Sequence, residues 1–251
     1  MNITKYVQEL RRLSDNVKFI KPILRPLTKI YFKYIDKNEL NRLNNLRNAF
    51  KQYGLETLNL FDKTMKSNGY KYSLAFGTLL GAVREKGFIG HDLDIDVFVW
   101  YNDFDENILK CLEDVGFRLT HTFLVDNGIS AREDTIEKDG VQIDIFYIYP
   151  PLEDSKFPYC CDFIPRKNCR SREQSITKYG GLLPRRFEMP ISEKVINTSF
   201  ENIKLPILSN AHEFLSFRYG KDYMIPNPSW TNGHNPHIIA WEEKIADYLE
   251  F

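Results

Sequence analysis

The run "HDLDIDVFVW" (His91 to Trp100) alternates carboxylates with apolar residues. A β-strand sends successive side chains to opposite faces, so Asp92, Asp94 and Asp96 are expected on one face and Leu93, Ile95 and Val97 on the other. The chain must therefore build a sheet with one face in the core and negative charge concentrated on the other. Alternate positions lie roughly 6.5 Å apart along a strand, near enough for Asp94 and Asp96 to converge on one small cation. Alternation also describes the wet face of an ordinary antiparallel strand, so the surroundings must decide between the two.

Upstream, "YKYSLAF" (Tyr70 to Phe76) reads as a strand ending at Gly77, and "TLLGAVRE" as a short helix after the turn. Gly77 lets the backbone pass close to a ligand, Thr78 heads a helix whose free N–H groups suit a phosphate, and Arg84 and Lys86 offer charge-assisted contacts to phosphate oxygens. Downstream, "VQIDIFYI" carries a third carboxylate, Asp144, on another strand. Mg²⁺ takes oxygen ligands and is commonly held by one or two carboxylates while substrate phosphates complete its shell. Asp94, Asp96 and Asp144 are the candidate metal-holding and catalytic residues, with Gly77, Thr78, Arg84, Lys86 and Asp92 as candidate substrate contacts. Close carboxylates raise one another's pKa unless a cation compensates, which favours Mg²⁺ or Mn²⁺ as cofactor.

The remaining pattern is α/β. A helix is predicted from about Asn38 through Leu58, Phe61 and Met65 to "SNG", with a possible bend at Gly54, after a basic segment that Pro22 and Pro26 break into short pieces. "DFDENILKCLEDVG" reads as a helix with Asp103 as N-cap and Gly116 as stop. "FRLTHTF", "ISAREDTIE" and "VQIDIFYIY" read as strands joined by "DNG" and "KDG" hairpin turns. Past Pro150 the periodicity dissolves up to about Phe200, a length that points to an ordered functional segment. "NAHEFLSFRYG" and "NPHIIAWEEKIADYLE" read as closing helices. The expected architecture is a basic helical extension over residues 1–38 and an α/β catalytic domain over 39–251, a mixed sheet flanked by helices with a helical C-terminus.

The 251 residues, 43% hydrophobic and 27% charged, can bury a full core. No apolar run approaches the length of a membrane span and the N-terminus lacks a signal-peptide core, so a cytoplasmic protein is expected. Four cysteines are too few for a disulfide scaffold. Zero net charge disfavours nucleic acid as a partner. Residues 1–51 nevertheless hold twelve Lys/Arg against four Asp/Glu, and "KFIKPILRPLTKIYFKYI" interleaves the basic residues with apolar ones. That segment either packs on the domain with its lysines solvated or makes a peripheral contact with an anionic membrane.

"GTLLGAVREKGFIGHDLDIDVFV" (Gly77 to Val99) closely resembles the signature of the LicD family of phosphocholine transferases, whose wider kin include fukutin and the fukutin-related protein. "LLPRRF", "FENIKLPI" and "EFLSFRYGKDYMIPNP" resemble the family's later blocks, so the likeness covers about residues 54–230. Leu93 stands where the family usually has a further Asp, while Asp92, Asp94 and Asp96 match the rest of its acidic block. The resemblance implies a nucleotidyltransferase-like fold. It also implies transfer of a phospho-alcohol from a CDP-linked donor such as CDP-choline to a sugar hydroxyl of a glycan acceptor, including lipopolysaccharide, with metal on Asp94 and Asp96. Asp144 then helps hold metal or accepts the acceptor's proton. A nucleotidyltransferase acting on a small substrate and an inactive glycan-assembly scaffold are the alternatives.

Weaker signals remain. Cys160, Cys161 and Cys169 are either a partial zinc set, which three cysteines with two adjacent make awkward, or buried free thiols. Arg185 and Arg186 read equally as donor or glycan contacts and as a solvated pair. Trp230, His234 and His237 read as packing residues first and as an acceptor pocket second. His91 is expected to point toward the core.

Overall fold

The structure, a computed structural model, describes residues 21–153, 155–227 and 237–251, with side chains from residue 41 onward. The chain divides into two units after Asn48. The division falls inside a single helix, α1 (Lys21–Ser67), which runs through Pro22, Pro26 and Gly54 without interruption. The expected break at the prolines is therefore absent. Within the second unit Leu58, Phe61 and Met65 are fully buried, the face their spacing of three and four predicts. Gly69, at φ +76°, follows the helix end.

The second unit is mixed α/β, as expected. After α1 come β1 (Ser73–Leu74), α2 (Phe76–Arg84), β2 (Asp94–Trp100), α3 (Asn107–Asp114), β3 (Arg118–Val125), β4 (Ala131–Lys138) and β5 (Val141–Ile148). Then follow β6 (Tyr159–Ile164), α4 (Arg172–Tyr179), β7 (Leu183–Glu188), β8 (Val195–Phe200), β9 (Ile203–Leu208), α5 (Ala211–Tyr219), β10 (Ile238–Ala240) and β11 (Ala246–Glu250). The main sheet has the order β1-β2-β5-β4-β3-β11. Its β2–β5 pair is parallel and the other pairs are antiparallel. The hairpins β3–β4 and β4–β5 turn through left-handed Asp126-Asn127-Gly128 and Asp139-Gly140, the conformation that their "DNG" and "KDG" sequences favour.

The stretch after Pro150, expected to be ordered but without a readable period, is built of strands: β6, β7 and β10 form a second sheet, and β8 with β9 a hairpin. Elsewhere the structure differs from expectation. The C-terminus is not helical. Ile238–Ala240 adds to the edge of β7 and Ala246–Glu250 to the edge of β3, because both edges leave backbone groups that a strand satisfies and a helix cannot. Asp103 lies in a single 3₁₀ turn instead of capping α3, and Asp105 takes the Asn107 N–H there at 3.0 Å.

Candidate active site

In β2, Ile95, Val97 and Val99 are fully buried, while Asp96 is half-buried and Asp94 exposed on the opposite face. The strand begins at Asp94, so Asp92 does not belong to its alternation. It sits in the preceding turn, where its Oδ2 accepts the Ile89 N–H at 2.9 Å and its own N–H donates to the Ile89 carbonyl at 2.9 Å. The carboxylates still converge: the Cβ that Gly77 lacks would lie 3.4 Å from Asp96 Oδ2 and 4.0 Å from Asp92 Oδ1. In the parallel pair, Asp96 stands directly opposite Asp144.

Two groups from α2 fix Asp96. The Gly77 N–H donates to Asp96 Oδ2 at 3.1 Å, and the Thr78 hydroxyl accepts the Asp96 N–H at 2.9 Å. Thr78 is 1% exposed, so this hydroxyl serves the strand and does not face solvent. Phe76, at the start of α2, has φ +34°, a region costly for a residue with a Cβ. Its ring is held against Phe98, Phe146 and Phe187 at centroid distances of 5.1, 4.9 and 5.8 Å, and this packing keeps the turn that aims Gly77 at Asp96. Nothing in the spacing of aromatics pointed to Phe76. Its role depends on Phe98 and Phe146 being paired in register, one pleat beyond Asp96 and Asp144.

Burial with mutual repulsion governs the charge state. Desolvation pushes Asp96 well above the usual carboxylate range, and Asp94 and Asp144 push it the same way while the Gly77 N–H opposes. Asp92 and Asp144 are each raised to about 6, chiefly by burial. Asp94 is raised as well, again by burial. Glu133, 8% exposed, projects from β4 on the same sheet face, and burial with the charges of Asp144 and Asp162 raises it strongly. It is a site neighbour that the sequence did not single out, since its relation to Asp144 exists only across the β4–β5 register.

The remaining candidates lie at the rim or elsewhere. Arg84 donates to Glu85 Oε1 at 2.7 Å and to the Tyr223 carbonyl at 3.3 Å, close enough to Asp92 to stabilise its charged form. Lys86 is exposed at φ +59° in the turn after α2. His91 is exposed and not core-facing. Arg185 forms a two-pronged ion pair with Asp162, and Arg186 pairs with Glu188 at 3.3 Å over the Trp241 ring, so neither is a solvated arginine. Cys160 and Cys161 are buried free thiols, both pushed up by burial, and Cys169 is free and half-buried. Among the described residues, no three His, Cys, Asp or Glu side chains are gathered so as to hold a metal ion. His237 stacks near Phe217 at 3.9 Å, and Trp230 and His234 lie outside the described residues.

Residues 69–177 match the family profile "LicD/FKTN/FKRP, nucleotidyltransferase domain". The chain is similar to the ribitol-5-phosphate transferase FKTN of Homo sapiens, at 24% identity over 92% of this chain and 47% of that protein. To the mouse protein of the same name it is 26% identical over 86% of this chain and 44% of the relative. It is similar to the lipopolysaccharide cholinephosphotransferase LicD of Haemophilus influenzae, at 32% identity over 41% of this chain and 36% of that protein. The chain thus spans about half the length of the FKTN relatives it matches. Its α2, β2 and β5, with Asp96 and Asp144 paired between them, all fall within residues 69–177, the span that matches the LicD-family domain.

Proposed function

We propose that the protein is a metal-dependent phosphotransferase that moves a phospho-alcohol, such as phosphocholine, from a CDP-linked donor to a sugar hydroxyl of a glycan or lipopolysaccharide. The observation that carries this reading is the pairing of Asp96 with Asp144, with Asp94 one pleat away and Asp92 at the turn, on a face where burial raises all four. A site that leaves several carboxyls short of compensation is suited to a cation. Its donors are all carboxylate oxygens, the set that Mg²⁺ or Mn²⁺ prefers, and two such groups suffice when a diphosphate and water complete the shell. Asp94 and Asp96 would hold the ion, and Asp144 would either help hold it or take the acceptor's proton. Bound there, it would offset the charge of the diphosphate and of the departing cytidine monophosphate.

The chain's own residues do the rest. Gly77 and Thr78 hold Asp96 from both its carboxylate and its backbone, so the site is set before substrate arrives. Arg84 and Lys86, at the rim, orient phosphate oxygens. As the acceptor hydroxyl attacks phosphorus and the bond to cytidine monophosphate breaks, the hydroxyl proton passes to Asp144. A carboxyl raised to about 6 is suited to that transfer near neutral pH. Phosphoryl transfer depends chiefly on positioning and charge compensation, and this arrangement supplies both. The relatives' printed activities, transfer of ribitol 5-phosphate and of cholinephosphate, support the reaction class.

The test is release of cytidine monophosphate from CDP-choline or CDP-ribitol, with and without glycan acceptor. Acceptor-dependent release is expected, and kcat should fall by about two orders of magnitude or more in Asp94→Asn and Asp96→Asn while both variants stay folded. Near-normal turnover in excess EDTA would overturn the metal requirement. Pyrophosphate release from CTP would instead favour a nucleotidyltransferase.

A further inference from the structure

A row of residues crosses the main sheet through Asp96. The registers set Asp96 opposite Asp144, Asp144 opposite Thr135, Thr135 opposite His121, and His121 opposite Glu250. Three members of the row are joined. The Thr135 hydroxyl donates to Asp144 Oδ1 at 2.6 Å, and His121 Nε2 lies 3.1 Å from the same hydroxyl oxygen. Thr135 has one proton and gives it to the carboxylate, so its oxygen accepts from His121, which fixes the imidazole as the Nε2–H tautomer. On the other side of the ring, Nδ1 lies 3.1 Å from the Thr120 hydroxyl. That hydroxyl donates its one proton to the Thr135 carbonyl at 2.9 Å, so it ties the Thr135 backbone to the same cluster and does not supply a proton to Nδ1. The ring is also walled by Phe123 and Tyr248, at centroid distances of 5.2 and 5.6 Å. Thr135 is 2% exposed, so its hydrogen bond to Asp144 does not compete with solvent.

We infer that Thr135, braced by His121, is a positioning residue that fixes the Asp144 carboxylate by one oxygen and leaves Oδ2 as the working atom. This rests on the functional reading above and goes beyond it, because neither residue touches substrate in that scheme. A carboxylate on a strand has a broad terminal torsion. Anchoring one oxygen removes that freedom, and the anchor is itself prevented from turning away by an imidazole wedged between two rings. Groups standing behind a metal-holding or proton-accepting carboxylate commonly set 10–100-fold of its affinity or rate.

The test compares Thr135→Val, which keeps the shape and loses the hydroxyl, with Thr135→Ser, which keeps the hydroxyl. Two readouts apply to the full chain: Mn²⁺ affinity measured by calorimetry, and kcat and KM for cytidine monophosphate release. Thr135→Val should lose about tenfold or more in Mn²⁺ affinity or kcat with donor KM little changed, and Thr135→Ser should stay within about threefold of the parent. Added to Asp144→Asn, Thr135→Val should cost nothing more, since the group it positions is already gone. If the valine variant does not fold, Thr135→Ala carries the same expectation. A Thr135→Val protein within twofold of the parent in both readouts, where the parent binds Mn²⁺ through Asp96, would overturn this inference and leave the functional reading standing. A parent that neither binds Mn²⁺ nor turns over would remove both.

Discussion

Asp144 and Asp92 make the site's electrostatics measurable without an assay. Each is raised to about 6 in the folded chain, against about 3.9 unfolded, so the folded state binds more protons between those values. Their contribution to stability therefore falls as pH rises from about 4 to 6, and Asp96 and Glu133, pushed further, extend the fall upward. His121 acts in the opposite sense. Its pKa is lowered to about 4 by burial and by the nearby Arg172 charge, so it adds stability as pH rises from 4 to about 6.5. Several carboxyls outweigh one imidazole, and metal-free protein should lose stability on going from pH 4.5 to 6.5 in urea titrations. Asp144→Asn should flatten that slope and melt a few degrees above the parent at pH 7, while abolishing turnover. A parent whose stability climbs steadily over this range would contradict the described burial. At the same scale, the sequence singled out Asp94, Asp96 and Asp144 as candidates because alternation is a local signal. Thr135 and His121 were not, because their meaning depends on which strands pair and in what register. Thr78 read as a ligand contact but lies inward: β1 stops at Leu74, and the Thr78 hydroxyl takes the Asp96 N–H beyond it.

Among elements, α2 shows how tightly the Gly-rich run is built. A Cβ on Gly81 would lie 2.4 Å from the Gly87 carbonyl oxygen, because the chain after the helix folds back onto it, with the Gly87 N–H donating to the Gly81 carbonyl at 3.4 Å. Backbone cannot yield as a side-chain end can. Gly81→Ala should therefore destabilise by about 1–3 kcal/mol, and more if the return loop opens. A urea midpoint equal to the parent's would show that loop to be slack. The C-terminus shows a limit of sequence reading. The run "NPHIIAWEEKIADYLE" read as a closing helix, yet the unsatisfied edge of β3 recruits Ala246–Glu250 as a strand. Likewise the proline- and cysteine-bearing stretch after Pro150 showed no period, because β6 and β7 are six residues each and Pro184 sits within β7. Tertiary pairing overrides weak local pattern in short strands.

For the whole molecule, mixed α/β architecture was legible from the order of strand, glycine turn, helix and strand, since each of those signals is short-range. The second sheet, assembled from segments as far apart as Tyr159 and Ala240, was not. Net charge is zero, yet the first 51 residues carry twelve basic against four acidic residues. No helix among the described residues is long and apolar enough to cross a membrane. If the basic stretch attracts an anionic surface, binding to phosphatidylserine vesicles should drop severalfold between 0.05 and ~0.5 M salt, where screening shortens to a few ångströms. Salt-insensitive binding would exclude that role.

The inward-facing Thr78 and the crowded Gly81 carry one last implication, for anyone who would re-engineer this scaffold. Residues 76–83 are a buttress, answering to the backbone beneath them. Moving this run into another chain means carrying along the backbone from Gly87 to Asp96 that it is fitted against.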